Sequence, residues 1–245
     1  MFKHVKLNES VLPKSLGVKG KNHDGVRYYT IDGVNMPSVT SILGDIPERK
    51  EKIVAWRKAV GEQMANYISV TSTNRGKSTH KLIENHLNNE DDKSNGVTNV
   101  VALGLFRLIK PYLARLDNIH CLEEYLYSKE IGVAGQVDCV AEYKGKLSIV
   151  DFKTSTKRRD ADYNYGNFLQ CSAYAKMFEE MYPDKKIEQT VVLATCESGE
   201  VQEWIHGEDK IKEHQDLFYT HTAEFLERHK QKLSEIAEIL ICKNY

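Results

Sequence analysis

GQVDCVAEYKGKLSIVDFKTS, residues 135–155, predicts a β-hairpin at the centre of the fold. Valine, isoleucine, tyrosine and phenylalanine recur on both sides of Lys144-Gly145, which is typical of two strands joined by a tight turn. A loop with an even number of residues, centred on this dipeptide, places Tyr143 opposite Lys146. The register of the whole hairpin then follows from the turn.

Two carboxylates and one ammonium share one face of this hairpin. The register places Asp138 opposite Asp151, and the alternation of side chains along a strand points Lys153 the same way as Asp151. Like charges across a hairpin are destabilising, so a divalent cation is the natural partner. The alternative is a solvated polar face. We favour the metal site, because the second strand follows an apolar run, and a buried Asp and Lys need partners.

The composition excludes several classes of protein. A chain of 245 residues, 41% of them hydrophobic, suffices for one large domain or two small ones. The net charge of −1 and the pI of about 6.8 differ from those of a protein that coats nucleic acid. Contact with nucleic acid is therefore expected from a local basic patch together with a bound metal. No apolar run of roughly 18 residues predicts a transmembrane helix, and the opening MFKHVKLNES lacks a secretion or transit signal, so we expect a cytoplasmic protein without a membrane partner.

The cysteines give no metal-binding pattern. No CxxC pair occurs, which argues against a zinc ribbon and against an iron–sulfur cluster. An odd number in a cytoplasmic chain indicates free thiols. They are Cys121, Cys139, Cys171, Cys196 and Cys242.

Hydrophobic periodicity predicts alternating helices and strands. Residues 1–27 are polar and weakly patterned, and we expect a loosely packed arm there. Residues 48–67 predict a helix with a core stripe formed by Ile53, Trp56, Val60 and Met64. Other helices are predicted near 82–87, 100–116, 164–182 and 209–242, and strands near 119–128, 187–195 and 201–206. This order suggests one α/β or α+β domain over residues 1–245, with a mixed central β-sheet flanked by helices.

A second polar stretch lies at residues 73–90, TNRGKSTHKLIENHLNNE. His80 and Glu84 are four residues apart, so they share one helical face, where both side chains can approach a cation. Taken alone, this stretch favours an ordinary surface His–Glu pair. Arg75 and Lys77 lie near the start of this helix, where they either meet phosphate or are merely solvated.

Four motifs in this order resemble those of the PD-(D/E)XK nuclease superfamily, in its RecB-type branch. They are GxxxHxxxE at Gly76, His80 and Glu84, GxxD at Gly135 and Asp138, DxKTS at Asp151, Lys153, Thr154 and Ser155, and QxxxY at Gln170 and Tyr174. Within that branch, VDCVAEYKGKLSIVDFKTS with PSVTSIL upstream resembles the mitochondrial genome maintenance exonucleases. The chain has no extended mitochondrial leader, which indicates a bacterial or phage-type relative.

The resemblance implies a restriction-endonuclease-like core and a catalytic metal site. Asp138, Asp151 and His80, with the main-chain carbonyl of Phe152, would hold Mg²⁺ or Mn²⁺, because oxygen-rich ligands suit these hard ions. Glu84 is a possible additional ligand.

The resemblance also assigns roles around the metal. Lys153 would orient or deprotonate the attacking water, or stabilise the charge of the transition state. Gln170 and Tyr174 would position Lys153 or the DNA strand. The implied catalytic residues are therefore Lys153, Asp151, Asp138, Gln170 and Tyr174. The residues expected to hold phosphates without sequence specificity are Arg75, Lys77, Thr154, Ser155 and Lys157.

Three functions fit the sequence. The favoured one is a Mg²⁺- or Mn²⁺-dependent DNA exonuclease that acts on free ends, with single-stranded DNA preferred, in replication, recombination or repair. The second is a structure-specific endonuclease of the same superfamily. The third is a non-catalytic DNA-binding accessory protein in recombination, and the intact Asp138, Asp151 and Lys153 argue against it.

Overall fold

The computed structural model describes residues 1–7, 20–90 and 96–241. Within these ranges the strands are β1 (Lys21–His23), β2 (Val26–Ile31), β3 (Val34–Pro37), β4 (Leu116–Ser128), β5 (Val133–Tyr143), β6 (Lys146–Ser155), β7 (Gln189–Cys196) and β8 (Val201–Gly207). The helices are α1 (Val39–Gly44), α2 (Pro47–Val60), α3 (Glu62–Leu87), α4 (Val100–Leu113), α5 (Ala161–Met181), α6 (Glu208–Arg228) and α7 (Lys230–Ile241).

A five-stranded mixed sheet forms the centre of the described part of the chain. Its order is β4-β5-β6-β7-β8, and only the β6–β7 pair is parallel. A parallel pair needs a crossover connection, which α5 supplies. Helices cover both faces, since Ile149 packs with α1, α5 and α6, whereas the next residue, Val150, packs with α3 and α4. The predicted fold class is confirmed.

The central hairpin has the predicted register. Lys144 and Gly145 have φ angles of 53° and 80°, the two positive values that a two-residue type I′ turn requires. Tyr143 pairs with Lys146, and the pairing continues to Cys139 and Val150. The pairing ends there, so the predicted pairing of Asp138 with Asp151, the next residues on the two strands, is not part of the ladder.

The prediction that an apolar stripe in residues 48–67 lies in the core is wrong. Gly61, with φ 84°, splits this segment into α2 and α3, and no residue of α2 is buried. The side chains of the stripe are 37–53% exposed at Ile53, Trp56, Val60 and Met64. The cause is tertiary, because α2 packs mainly against α3 and not against the sheet. An apolar helical stripe permits burial but does not guarantee a partner.

The N-terminal segment differs from the expected loose arm wherever it is described. His4 forms a parallel bridge with Ile119, and the amide of Val5 donates to the carbonyl of Ile119 at 2.7 Å. Residues 21–27 form β1 and the start of β2. The rest of the predicted arm, residues 8–19, lies outside the described residues.

The remaining predictions from composition concern membranes and thiols. Among the described helices, none is long and apolar enough to cross a bilayer. The cysteines of the described ranges are free and buried at Cys121, Cys139, Cys171 and Cys196. The predicted free thiol of Cys242 lies outside those ranges.

Asp45 ties the C-terminal helices to the rest of the fold. Its side chain is 7% exposed, lies at the end of α1 and contacts Lys50. It also accepts hydrogen bonds from Arg228 Nε and His229 Nε2, each at 2.9 Å. Burial raises the pKa of this carboxyl, but its hydrogen bonds with Lys50, His229 and Arg228 outweigh burial and hold the pKa at about 2.

Replacing Asp45 with asparagine is expected to lower the free energy of unfolding at pH 7 by about 2 kcal/mol. The folded-state pKa lies below the unfolded value, so the stabilisation is complete above the unfolded pKa near 4 and disappears as the pH falls through about 2. Urea unfolding of both proteins at pH 7, 4 and 3 measures this. A difference at pH 3 as large as that at pH 7 would contradict the assignment.

Candidate functional site

Three side chains from three elements converge at one edge of the sheet. His80 comes from α3, Glu123 from β4 and Asp138 from β5. Their potential ligand atoms all lie within 4.8 Å of one another. His80 Nδ1 is 3.6 Å from Glu123 Oε1 and 3.7 Å from Asp138 Oδ1. One imidazole and two carboxylates at these separations can hold a divalent cation.

The ring of His80 is fixed by the backbone of β6. Its Nε2–H donates to the carbonyl oxygen of Phe152 at 2.8 Å, which leaves Nδ1 facing Glu123 and Asp138. Such an outer hydrogen bond is what orients a metal-binding histidine. The Phe152 carbonyl, predicted as a metal ligand, therefore contacts the histidine in this structure.

The charges around His80 favour a cation. Burial lowers the pKa of the imidazole, but the carboxylates of Asp138 and Glu123 outweigh burial and raise the pKa to about 9. The pocket thus binds a proton tightly at the nitrogen that faces the carboxylates. A divalent cation held by the same atoms would neutralise the same negative charge, so the donor set fits such an ion.

The strand geometry aims Asp138 into the pocket. The backbone pairing of β5 with β6 ends at Cys139. At the next residue, the Asp138 side chain takes over, and its Oδ2 atom accepts a hydrogen bond from the Phe152 amide at 2.9 Å. Val137 packs with the hydrophobic residues of α1, α5 and α6, whereas Cys139, two residues later, packs with those of α3 and α4. Residues two apart on a regular strand share a face, so β5 changes face at Asp138.

Glu123 is a candidate ligand that the sequence reasoning missed. Its φ angle is +53°, unusual for a residue with a side chain. Its neighbours Leu122 and Glu124 pair with the two residues that flank Asp138, so Glu123 lies beside Asp138 across the sheet. The register of β4 shifts between residues 117 and 121, and such a bulge cannot be read from sequence. The only available signal was the pair of acidic residues in a strand next to the hairpin.

Asp151 and Lys153 form an ion pair beside the triad. Asp151 is 2% exposed, and its Oδ1 atom accepts a hydrogen bond from Lys153 Nζ at 2.5 Å. Burial raises the pKa of Asp151 to about 6 against the opposing effect of Lys153. The other oxygen, Oδ2, is buried without a hydrogen-bond partner. A buried carboxylate oxygen of this kind needs a partner, which a bound cation or its water would supply.

Lys153 carries its proton at neutral pH. Burial lowers the pKa of its ammonium, but the carboxylates of Asp151 and Asp138 outweigh burial and raise the pKa above its usual value. The side chain is 28% exposed, so its donor atom can reach a bound molecule. This state favours an ammonium donor over a general base.

Gln170 and Tyr174 lie together on α5, as predicted from their spacing. Burial, followed by the charge of Asp138, raises the pKa of the Tyr174 phenol well above its usual value, and a hydrogen bond with Gln170 opposes this. Tyr174 is 2% exposed. The two side chains therefore line the α5 side of the same site.

The predicted phosphate ligands differ in their contacts. Arg75 is buried and donates from Nη1 to Glu197 at 2.5 Å and from Nε to Thr154 Oγ1 at 3.3 Å. The Ser155 hydroxyl donates to the Lys157 carbonyl at 2.6 Å. These groups hold α3 and the loop after β6 in place, which favours a structural role over the predicted contact with DNA.

Two predicted basic residues and one predicted ligand remain. Lys77 and Lys157 are exposed, as a phosphate contact requires. Glu84 forms an ion pair with Lys81 at 3.0 Å. The structure therefore brings Glu123, and not Glu84, to His80 and Asp138.

Arg75 and Lys77 allow a matched comparison of a structural role with a phosphate-binding role. Arg75→Met is expected to lower the free energy of unfolding by about 2 kcal/mol, because it removes charged hydrogen bonds of a buried group. Lys77→Met is expected to change stability by less than about 0.5 kcal/mol, to weaken DNA binding and to reduce its salt slope by about 1. Urea unfolding and DNA titration at several salt concentrations measure both. The reverse pattern would restore Arg75 as the phosphate ligand.

A family model matches most of this chain. The model of the PD-(D/E)XK nuclease superfamily matches residues 48–242, which contain all four motifs. The chain belongs to the PD-(D/E)XK nuclease superfamily. Nucleases of this superfamily use divalent metal ions, consistent with the triad of His80, Glu123 and Asp138.

Curated relatives are similar over part of this PD-(D/E)XK chain. Mitochondrial genome maintenance exonuclease 1 of Mus musculus is 32% identical over 148 residues, covering 57% of this chain and 43% of the relative. The Homo sapiens protein of that name is 26% identical over 146 residues, covering 57% and 42%. The Xenopus tropicalis protein is 26% identical over 174 residues, covering 66% and 47%. The match thus spans less than half the length of each relative.

A crystal structure of a protein from Eubacterium rectale superposes with a TM-score of 0.44 at 11% identity, over 69% of this chain and 68% of that chain.

Proposed function

We propose that this protein is a Mg²⁺- or Mn²⁺-dependent exonuclease that hydrolyses phosphodiester bonds from free DNA ends. The observation that carries the proposal is the meeting of His80, Glu123 and Asp138 within 4.8 Å, beside the buried Asp151–Lys153 pair. The names of the curated relatives, which are exonucleases, support action on ends.

The residues that would hold the metal are His80 through Nδ1, Glu123 and Asp138, and the buried, unpartnered Oδ2 of Asp151 is a further candidate ligand. Carboxylate oxygens suit Mg²⁺ and Mn²⁺, and an imidazole among them tilts the site toward Mn²⁺ tolerance. When bound, the ion supplies Lewis-acid polarisation of the scissile phosphate and lowers the pKa of a bound water.

Lys153 acts on the reacting phosphate as a positioned cation. Asp151 holds its ammonium at one point on the α5 face of β6, where it can donate to the attacking water or to a non-bridging phosphate oxygen. Because the ammonium is preorganised, it stabilises the charge that develops in the transition state without reorganising. Tyr174 and Gln170 confine the same space from α5.

The single-stranded preference rests on aromatic side chains near the start of α5. Tyr163 is 62% exposed and Tyr165 is 36% exposed. The guanidinium of Arg159 lies 4.2 Å from the centre of the Tyr163 ring. Exposed aromatic and arginine faces stack on unpaired bases without sequence preference, while Lys77 and Lys157 would contact phosphates.

We propose a cellular role in DNA replication, recombination or repair, because a nuclease that acts on ends processes intermediates of these pathways. A cytoplasmic location in a bacterium or a phage-infected host stays a prediction, since the curated relatives are named for mitochondria.

Digestion of end-labelled DNA tests the proposal. Linear strands labelled at the 5′ or the 3′ end, single- and double-stranded, are incubated with Mg²⁺, Mn²⁺ or EDTA, beside a circular single strand. We expect metal-dependent loss of linear substrate, faster for single strands, and an intact circle. Cleavage of the circle would indicate the endonuclease instead. Binding without cleavage under all metal conditions would indicate the accessory protein.

A further inference from the structure

The backbone of β5 at Gly135 leaves no room for a side chain. A Cβ atom built there would lie 2.7 Å from Cε1 and 2.8 Å from the phenol oxygen of Tyr174. Carbon atoms in proteins essentially never approach so closely. The backbone angles of Gly135 are outside the positive-φ region, so its own conformation would accept alanine. The tyrosine ring alone therefore requires glycine at this position.

The ring that lies on Gly135 belongs to the candidate site. Tyr174 is 2% exposed, and burial, followed by the charge of Asp138, raises the pKa of its phenol. Gln170 lies one helical turn before it on α5. Asp138 follows Gly135 by three residues and marks the point at which β5 changes face. The contact thus joins α5 to β5 just before the carboxylate.

The other motif glycine of the site has no such neighbour. A Cβ atom at Gly76 on α3 would meet only Thr154 Oγ1, at 3.8 Å, which is an ordinary contact. The two glycines are therefore not equivalent, although the sequence presents both as motif positions.

We propose that Gly135 is a positioning residue for the reaction: it lets the Tyr174 ring lie directly on β5 and so fixes the phenol and Gln170 relative to Asp138 and Lys153. The inference rests on the proposed nuclease function. It assigns to Gly135 no contact with DNA or metal, so its effect must pass through Tyr174. A methyl group at residue 135 would push the ring, or α5 with it, away from the strand.

A double-mutant cycle tests whether Gly135 acts through the tyrosine. The variants are Gly135→Ala, Tyr174→Ala, both together, and Gly104→Ala as the control, since nothing lies within 4 Å of a Cβ atom at that exposed position on α4. We expect each single site variant to lose on the order of 10²-fold in single-turnover rate at saturating enzyme, with DNA affinity within about twofold of wild type. The double variant is expected to cleave no more slowly than Tyr174→Ala, and the control within about twofold of wild type.

Two outcomes would overturn the inference. One is a wild-type rate for Gly135→Ala, and the other is a double variant whose loss equals the product of the two single losses. If Gly135→Ala fails to fold, the double variant is still expected to fold, because the obstructing ring is gone, and its failure would also overturn the inference.

A second readout separates this inference from the proposed function. Urea unfolding of the same variants without metal should show that Gly135→Ala destabilises the wild-type background but not the Tyr174→Ala background. Absence of cleavage by the wild-type protein would refute the nuclease proposal, while this coupling would still show whether the ring requires the glycine.

Discussion

Lys153→Arg and Lys153→Ala are both expected to lose 10²- to 10⁴-fold in the rate of DNA cleavage, about 3 to 5 kcal/mol of transition-state stabilisation. The ammonium lies at one point, 2.5 Å from Asp151 Oδ1. A guanidinium is planar and larger than an ammonium, so arginine restores the charge but not the position of the donor. Single-turnover rates at saturating enzyme isolate this step from binding.

The control for Lys153 lies on the same strand. Lys146 is exposed at the opposite end of β6, next to the hairpin turn, and Lys146→Ala is expected to cleave at the wild-type rate. Both Lys153 variants should still bind DNA ends and Mn²⁺. Near-wild-type cleavage by Lys153→Arg would show that a positive charge is enough at this position and that the placement of the ammonium is not needed.

Asp151→Asn is expected to lose cleavage by about 10³-fold or more, because it removes both the anchor of the Lys153 ammonium and a buried carboxylate oxygen that has no partner in the metal-free protein. Mn²⁺ binding should weaken as well. The same change should not destabilise the metal-free protein. The carboxylate is 2% exposed, one of its oxygens has no hydrogen-bond partner, and the charge of Asp138 lies nearby. Removing a buried charge in this setting relieves repulsion.

Thermal melting without metal measures the second half of this prediction. Asp151→Asn should melt at or above the wild-type temperature, and the exposed control Asp216→Asn on α6 should melt at the wild-type temperature. A clear fall in melting temperature for Asp151→Asn alone would show that the carboxylate stabilises the folded protein in the absence of metal.

The parts of the fold that the sequence predicts are those determined locally. The register of the hairpin follows from the Lys144-Gly145 turn, because a two-residue loop with two positive φ angles sets the pairing of both strands. The pairing of Gln170 with Tyr174 follows from helical spacing. The mixed sheet follows from the order of helices and strands, and its class is confirmed.

The parts that the sequence does not predict depend on distant contacts. Glu123 reaches the site through a register shift in β4 that no local pattern announces. In the sequence, Arg75 resembles a phosphate ligand. In the structure, the turn between β7 and β8 places Glu197 beside it, and the two side chains form an ion pair. Trp56 belongs to an apolar stripe that α2 leaves exposed, since burial needs an opposing surface as well as a pattern.

Like charges share the site because two cationic side chains balance them. Asp138, Asp151 and Glu123 would repel one another in a buried position. His80 and Lys153 supply two positive charges to the metal-free pocket, and their pKa values are raised by the same carboxylates. Electrostatic balance therefore keeps the pocket folded before a cation binds, and a cation can replace the proton on His80.

Calorimetric titration of Mn²⁺ into the metal-free protein, with Glu123→Gln compared against Glu84→Gln, tests which carboxylate completes the metal site. The claim is that His80, Glu123 and Asp138 form the metal site, whereas Glu84 pairs with Lys81 on the surface of α3. We expect Glu123→Gln to weaken Mn²⁺ binding by more than about 10-fold and Glu84→Gln to bind within about twofold of wild type. Wild-type affinity in Glu123→Gln together with lost affinity in Glu84→Gln would contradict the account.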